Sequence, residues 1–142
     1  MRYLGLDLGS RTLGMALSDP TGILATGYKV VRHQEDYNSL IPIIADVVKE
    51  KNVSEIVLGL PKNMNNSIGE KGNLSIEFKN KLEQVLLVPV NLEDERLTTV
   101  QASNLLIAGD TSRKKRKQVI DGVAATIILQ SYLDKKRRNN NG

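Results

Sequence analysis

The chain has 142 residues, enough for one domain, and its 40% apolar and 25% charged residues make a globular rather than a disordered balance. The absence of cysteine excludes disulfides, thiolate metal sites and a cysteine nucleophile, and the single histidine, His33, argues against a zinc site built on imidazoles. The net charge of +4 is unevenly spread: residues 1–110 hold 11 Lys/Arg against 14 Asp/Glu, and residues 111–142 hold 9 against 2.

Taken in chain order, residues 3–8, 13–18 and 23–31 read as three strands joined by short turns, Gly9-Ser10 and Asp19-Pro20-Thr21-Gly22, hence an antiparallel meander. The period then changes. Leu40, Ile43, Ile44, Val47 and Val48 recur at helical spacing behind a cap at Asn38 or Ser39, with Pro42 tolerable in the first turn. Residues 55–60 read as a buried strand ended by Pro61. Leu74, Phe78, Leu82 and Val85 make a second helical stripe, and residues 88–92 a fifth strand with Pro89 near its start. Thr98 and Gln101 fit a capping box for a helix running to Gly109. A basic loop, Arg113-Lys114-Lys115-Arg116-Lys117, is expected before a last helix with Ile120, Val123, Ala124 and Ile127 buried. Residues 138–142 are expected to be a disordered tail behind a single domain at 1–137. The order βββαβαβαα implies an α/β fold with a mixed sheet and helices on both faces.

Three acidic positions stand out. Asp7 interrupts an apolar strand, where a charge must be paired, hydrogen-bonded or coordinated to a metal. Glu93-Asp94-Glu95-Arg96 follows the fifth strand, and in α/β sheets ligand sites gather at the carboxyl ends of strands. Asp121 opens the last helix beside Gly122, Ala124 and Ala125, small residues that permit close approach to a sheet. Carboxylate oxygens suit Mg²⁺ or Mn²⁺, and two-metal phosphodiester cleavage needs neither Cys nor His. The basic last quarter suggests an anionic polymer as partner, nucleic acid first, or alternatively a solvated helix end. Low aromatic content, 4%, argues against base stacking as the source of affinity. His33 reads as a surface residue rather than a catalytic base. No run approaches the roughly 18–20 apolar residues of a membrane helix, and no signal-peptide layout opens the chain, so a cytoplasmic protein without membrane contact is expected.

Four motifs occur in order: Leu6-Asp7-Leu8-Gly9-Ser10-Arg11-Thr12, Leu58-Gly59-Leu60-Pro61-Lys62-Asn63-Met64-Asn65, Asp94-Glu95-Arg96-Leu97-Thr98-Thr99 and Asp121-Gly122-Val123-Ala124-Ala125. Over about residues 1–135 the chain resembles the YqgF (RuvX) family of Holliday junction resolvases, also described as pre-16S rRNA nucleases. The resemblance implies an RNase H-like fold with a five-stranded mixed sheet, and a metal-dependent endonuclease. It implies Asp7, Glu95 and Asp121 as catalytic and metal-binding acids holding Mg²⁺ or Mn²⁺, with Arg11, Lys62, Asn63 and Arg96 around the cleft. Those four, with Arg113, Lys114, Lys115, Arg116 and Lys117, are the expected nucleic-acid contacts. Processing of the 5′ end of pre-16S rRNA is the first expectation. Resolution of branched DNA, or a non-catalytic ribosome-assembly module, is the alternative. Either a monomer or a homodimer is compatible. A nucleotide-binding relative of the sugar kinases is weighed on the phosphate-hairpin look of residues 7–12, but such proteins need two domains and this chain has room for one.

Overall fold

The structure, a computed structural model, describes residues 2–61, 67–94 and 113–141, apart from the side chains of 113–122 and 138–141. Strands β1 (Arg2–Leu8), β2 (Thr12–Ser18) and β3 (Ala25–Arg32) form the antiparallel meander. Helix α1 (Leu40–Glu50), strand β4 (Val53–Leu60), helix α2 (Glu70–Val85), strand β5 (Val90–Asp94) and helix α3 (Arg113–Asn141) follow. The sheet order is β3-β2-β1-β4-β5, with β4 parallel to both β1 and β5. The parallel strands therefore share one carboxyl edge, at Leu8, Leu60 and Asp94.

Alternation along the strands builds two cores. Leu4 and Leu6 of β1, Leu13 and Met15 of β2, and Ile56 and Leu58 of β4 face α1 and α2, meeting Leu40, Ile44, Val47, Phe78 and Leu82. Tyr3, Ala16, Ala25 and Val57 face the other way and meet Ala125, Ile128, Leu129 and Leu133 of α3. Helices thus cover both faces of the sheet, as the order of elements implies.

Several local expectations change. The 113–117 segment is the start of α3 rather than a loop: Lys and Arg are good helix formers, and neither Gly nor Pro breaks the run. The buried stripe of α3 is shifted by one position, to 124, 125, 128, 129 and 133, with Val123 and Ile127 only half-buried. On α2 the inward face is Gly72, Ser75, Phe78 and Leu82, while Val85 is exposed. Ser39 holds the N-cap position of α1, as expected, but its side chain makes no capping bond. A short 3₁₀ turn, Tyr37–Ser39, precedes that helix, and the Ser39 hydroxyl donates to the Asp36 carbonyl. β5 begins at Val90, and Pro89 contributes only its carbonyl, which accepts from the Ile56 N–H. The last helix continues to Asn141, through the segment expected to be a tail. The helix expected behind Thr98 lies outside the described residues.

Close approach of α3 to the sheet comes from Gly5 of β1. A Cβ there would sit 2.7 Å from the Leu129 Cβ and 3.0 Å from the Ala125 carbonyl oxygen. No rotamer change relieves either contact, because neither atom lies at the end of a flexible side chain. Gly5→Ala should therefore displace α3 and cost about 1–3 kcal/mol by urea unfolding. At Gly27 the nearest atom, Thr126 Oγ1, is 3.5 Å away, so Gly27→Ala should stay within about 0.5 kcal/mol of wild type.

Candidate active site

Asp7 lies one residue before the end of β1, half-buried. Tyr3, Gly5 and Asp7 alternate onto the α3 side of the strand. Its partner on β2 is Gly14, and the pairing of Leu6 with Leu58 makes Gly59 the next residue beside it on β4. Asp7 is thus flanked by two glycines, which place no side chain directly beside it on either neighbouring strand. Beyond Gly59, in the same row, stands Glu93 of β5.

Glu93 is buried, 5% exposed, and α3 neutralises it: Lys135 makes a close ion pair with its Oε1, and the Ser131 hydroxyl donates to the same oxygen at 3.4 Å. Nearer the start of the sheet, Glu55 accepts from Asn91 at 3.2 Å and from the Tyr132 hydroxyl at 3.4 Å, and pairs with Lys136 at 3.4 Å. The Lys136 ammonium also stands 5.0 Å from the Tyr3 ring centroid. These two carboxylates lock α3 to β4 and β5. Glu93 belongs to the acidic run expected just after the fifth strand, but it lies within β5, and its burial under α3 turns it from a ligand candidate into a structural one. Glu55 is not among the candidates read from sequence, and its signal is the alternation Glu55, Val57, Gly59 on β4.

At the other flank of Asp7 the β1–β2 turn closes with the Gly9 N–H donating to the Thr12 carbonyl at 2.8 Å, and Arg11 is exposed at its tip. His33 is half-buried against this turn. Its Nδ1 accepts the Glu35 N–H at 3.1 Å, which leaves Nε2 as the donor to the Gly9 carbonyl at 2.9 Å. With both nitrogens engaged in backbone contacts it is not a general base.

Of the expected acids, Asp7 alone has a described side chain. Glu95 directly follows Asp94, the last residue of β5, and Lys62, Asn63 and Arg96 lie with it outside the described residues. Asp121 and the basic residues 113–117 belong to the helical backbone of α3. Among the described side chains, the structure places Asp7 near the end of β1 and Arg11 in the β1–β2 turn that follows it.

Comparison with known proteins settles the family. The family model RuvX, Holliday junction resolvase, matches residues 1–135. The chain belongs to the RuvX family. It is 50% identical over 140 residues to a protein named "Putative pre-16S rRNA nuclease" from Caldanaerobacter subterraneus, covering 98% of this chain and 100% of the relative. A relative of the same name from Leuconostoc mesenteroides is 49% identical over 138 residues, 96% of each chain. Among solved structures, Thermus thermophilus RuvC in complex with a Holliday junction substrate superposes with a TM-score of 0.60 at 16% identity, covering 97% of this chain and 96% of that one. The fowlpox virus resolvase with its junction DNA gives 0.58 at 13% identity, over 96% and 99%. These likenesses establish the RNase H-like fold of the RuvX chain.

The Glu55 cluster has a measurable signature. The bond to Tyr3 raises the Lys136 pKa against the opposing effect of burial, with the Glu55 charge adding to the rise; burial and the same Glu55 charge raise the Tyr132 phenol above 10. Both groups hold their protons more tightly folded than unfolded, so their stabilisation is complete below about pH 10 and is lost as pH rises through the folded values. Lys136→Met should cost up to about 1 kcal/mol at pH 7, the scale of a partly exposed pair. It should also flatten the alkaline fall in stability, followed by urea unfolding between pH 7 and 11.

Proposed function

We propose that this RuvX protein is a nuclease that hydrolyses phosphodiester bonds in structured RNA, with precursor 16S rRNA as substrate and the cytoplasm as its place of work. The observation that carries the reading is Asp7 at the carboxyl edge of β1, between Gly14 and Gly59. A carboxylate with glycine on both neighbouring strands can be approached by a bulky sugar-phosphate backbone, and the relatives named for rRNA cleavage supply the substrate class.

Asp121 supports the reading by its place on α3. Ala125 touches Gly5, and Asp121 is one helical turn before it. From Gly5 to Asp7 the strand advances about 6.6 Å, which about four residues of helix match. Glu95, next after β5, completes the trio. The donors are carboxylate oxygens, with no thiol in the chain and the one imidazole committed to the turn, a set that fits Mg²⁺ or Mn²⁺. Such an ion would supply positive charge to the scissile phosphate and acidify a water. Asp7, Glu95 and Asp121 hold and orient the reacting groups; Arg11, Lys62, Asn63, Arg96 and the basic start of α3 bind the phosphates on either side.

The test is a cleavage panel, precursor 16S rRNA leader against a four-way DNA junction, with Mg²⁺ or Mn²⁺. Asp7→Asn, Glu95→Gln and Asp121→Asn should each lower RNA cleavage at least about a hundredfold without loss of the fold. Preferential cutting of the junction would move the substrate to branched DNA. Full activity in any one variant would remove that residue from the site. Neutralising residues 113–117 should reduce the slope of log binding constant against log salt by about 0.7–0.9 for each phosphate the segment no longer neutralises; an unchanged slope would return that segment to a solvated helix end.

A further inference from the structure

The end of β3 lies beside the Asp7 site and brings to it a cation that the sequence motifs do not include. Arg32 pairs with Thr12 across β2–β3, and Thr12 lies two residues from Gly14, the partner of Asp7. By strand alternation Thr12, Gly14 and Ala16 share the α3 side of β2, so Arg32 stands on the same side of the sheet as Asp7. Two strand spacings and two residues of rise put its Cα about 12 Å from that of Asp7, within the reach of a side chain and a phosphate. Arg32 is exposed, as is Arg11 in the adjoining turn.

What fixes this corner is His33. Its N–H donates to the Arg11 carbonyl at 2.9 Å, and its Nε2–H to the Gly9 carbonyl at 2.9 Å. The Glu35 N–H holds the ring at Nδ1, with Glu35 in a left-handed conformation (φ 62°), and the Tyr37 ring stands 5.2 Å away, tilted against it. The imidazole thus joins the β1–β2 turn to the chain leaving β3. An unpinned turn would give up conformational entropy when a phosphate ordered it; this one is ordered in advance.

We propose that Arg32 and Arg11 form a phosphate-contact corner on the active side of the sheet, and that His33 is the positioning residue that holds it. The proposal rests on the nuclease reading and adds to it one basic contact and its support. The strand it binds runs from the Asp7 site outward over the β1–β2 turn toward the open β3 edge.

The test is metal-free fluorescence anisotropy with a 5′-fluorescein-labelled RNA hairpin carrying a single-stranded leader, alongside cleavage of the same RNA in Mg²⁺. Arg32→Ala should weaken binding about three- to tenfold and lower the salt slope by about 0.7–0.9. His33→Ala should weaken it similarly in the wild-type background and have little effect when combined with Arg11→Ala, because it acts through that residue. His33→Gln, which can still donate to the Gly9 carbonyl, should restore most of the affinity. If Arg32→Ala keeps wild-type affinity and slope while the wild type binds and cuts, the corner is overturned and the nuclease reading stands. An equal loss from His33→Ala with and without Arg11 overturns the positioning role. A wild-type protein that neither binds nor cuts the RNA overturns both readings together.

Discussion

The contact of α3 with β1 at Gly5 governs the rest of the molecule. A long helix crosses a sheet at close range only where the sheet presents little side chain, and β1, β2 and β3 offer Gly5, Ala16, Ala25 and Gly27 along that path. Closeness at Gly5 places Ala125 and Leu129 over the centre of the sheet. It thereby fixes which turns of α3 lie toward the carboxyl edge of the parallel strands and which toward their starts. The first turns carry the basic run and Asp121, and the last carry Lys135 and Lys136.

Charge is divided along the same helix. Toward its C-terminal end, lysines meet buried or half-buried glutamates of β4 and β5, and Lys136 also lies over tyrosine rings. Those positive charges hold helix to sheet; removing one partner would leave a carboxylate short of hydrogen bonds in a poorly solvated place. Arg11 and Arg32, by contrast, are exposed and lie toward the carboxyl edge with Asp7. An overall charge of +4 conceals this division between groups that hold helix to sheet and exposed ones toward the carboxyl edge.

The meander, both crossover units and Asp7 are legible in the sequence because they depend on local pattern: period-two apolar residues, turn glycines, and a carboxylate where the pattern calls for an apolar side chain. The family resemblance adds the trio as a unit, which spacing alone leaves open. What is not legible depends on contacts between distant residues. The apolar residues from Val123 to Leu129 offer more than one helical phase, and the phase of the α3 stripe is chosen by contact with Tyr3, Ala16, Ala25 and Val57 on the sheet. Glu55 goes unremarked in the sequence and Glu93 reads as part of an acidic run at a ligand edge; their structural role appears only when Lys135, Lys136, Ser131 and Tyr132 close over them. The small residues after Asp121 suggest close approach from the helix side, and Ala125 is indeed in the contact, but its sheet-side partner Gly5 is not legible from the helix sequence. His33 resembles a surface residue because its two backbone partners, Gly9 and Glu35, are recognisable only after the turn folds back on β3.

We propose that a divalent cation binds at the carboxyl edge of β1, held by Asp7, by the acid that follows β5 and by Asp121 of α3. Paramagnetic broadening of backbone amide signals by substoichiometric Mn²⁺ reads that location without reference to any substrate. The account predicts broadening centred on Asp7, Gly14 and Gly59 and on residues near 121 of α3, abolished by Asp7→Asn. Broadening centred instead on Glu55 and Glu93, or undiminished in Asp7→Asn, would contradict it.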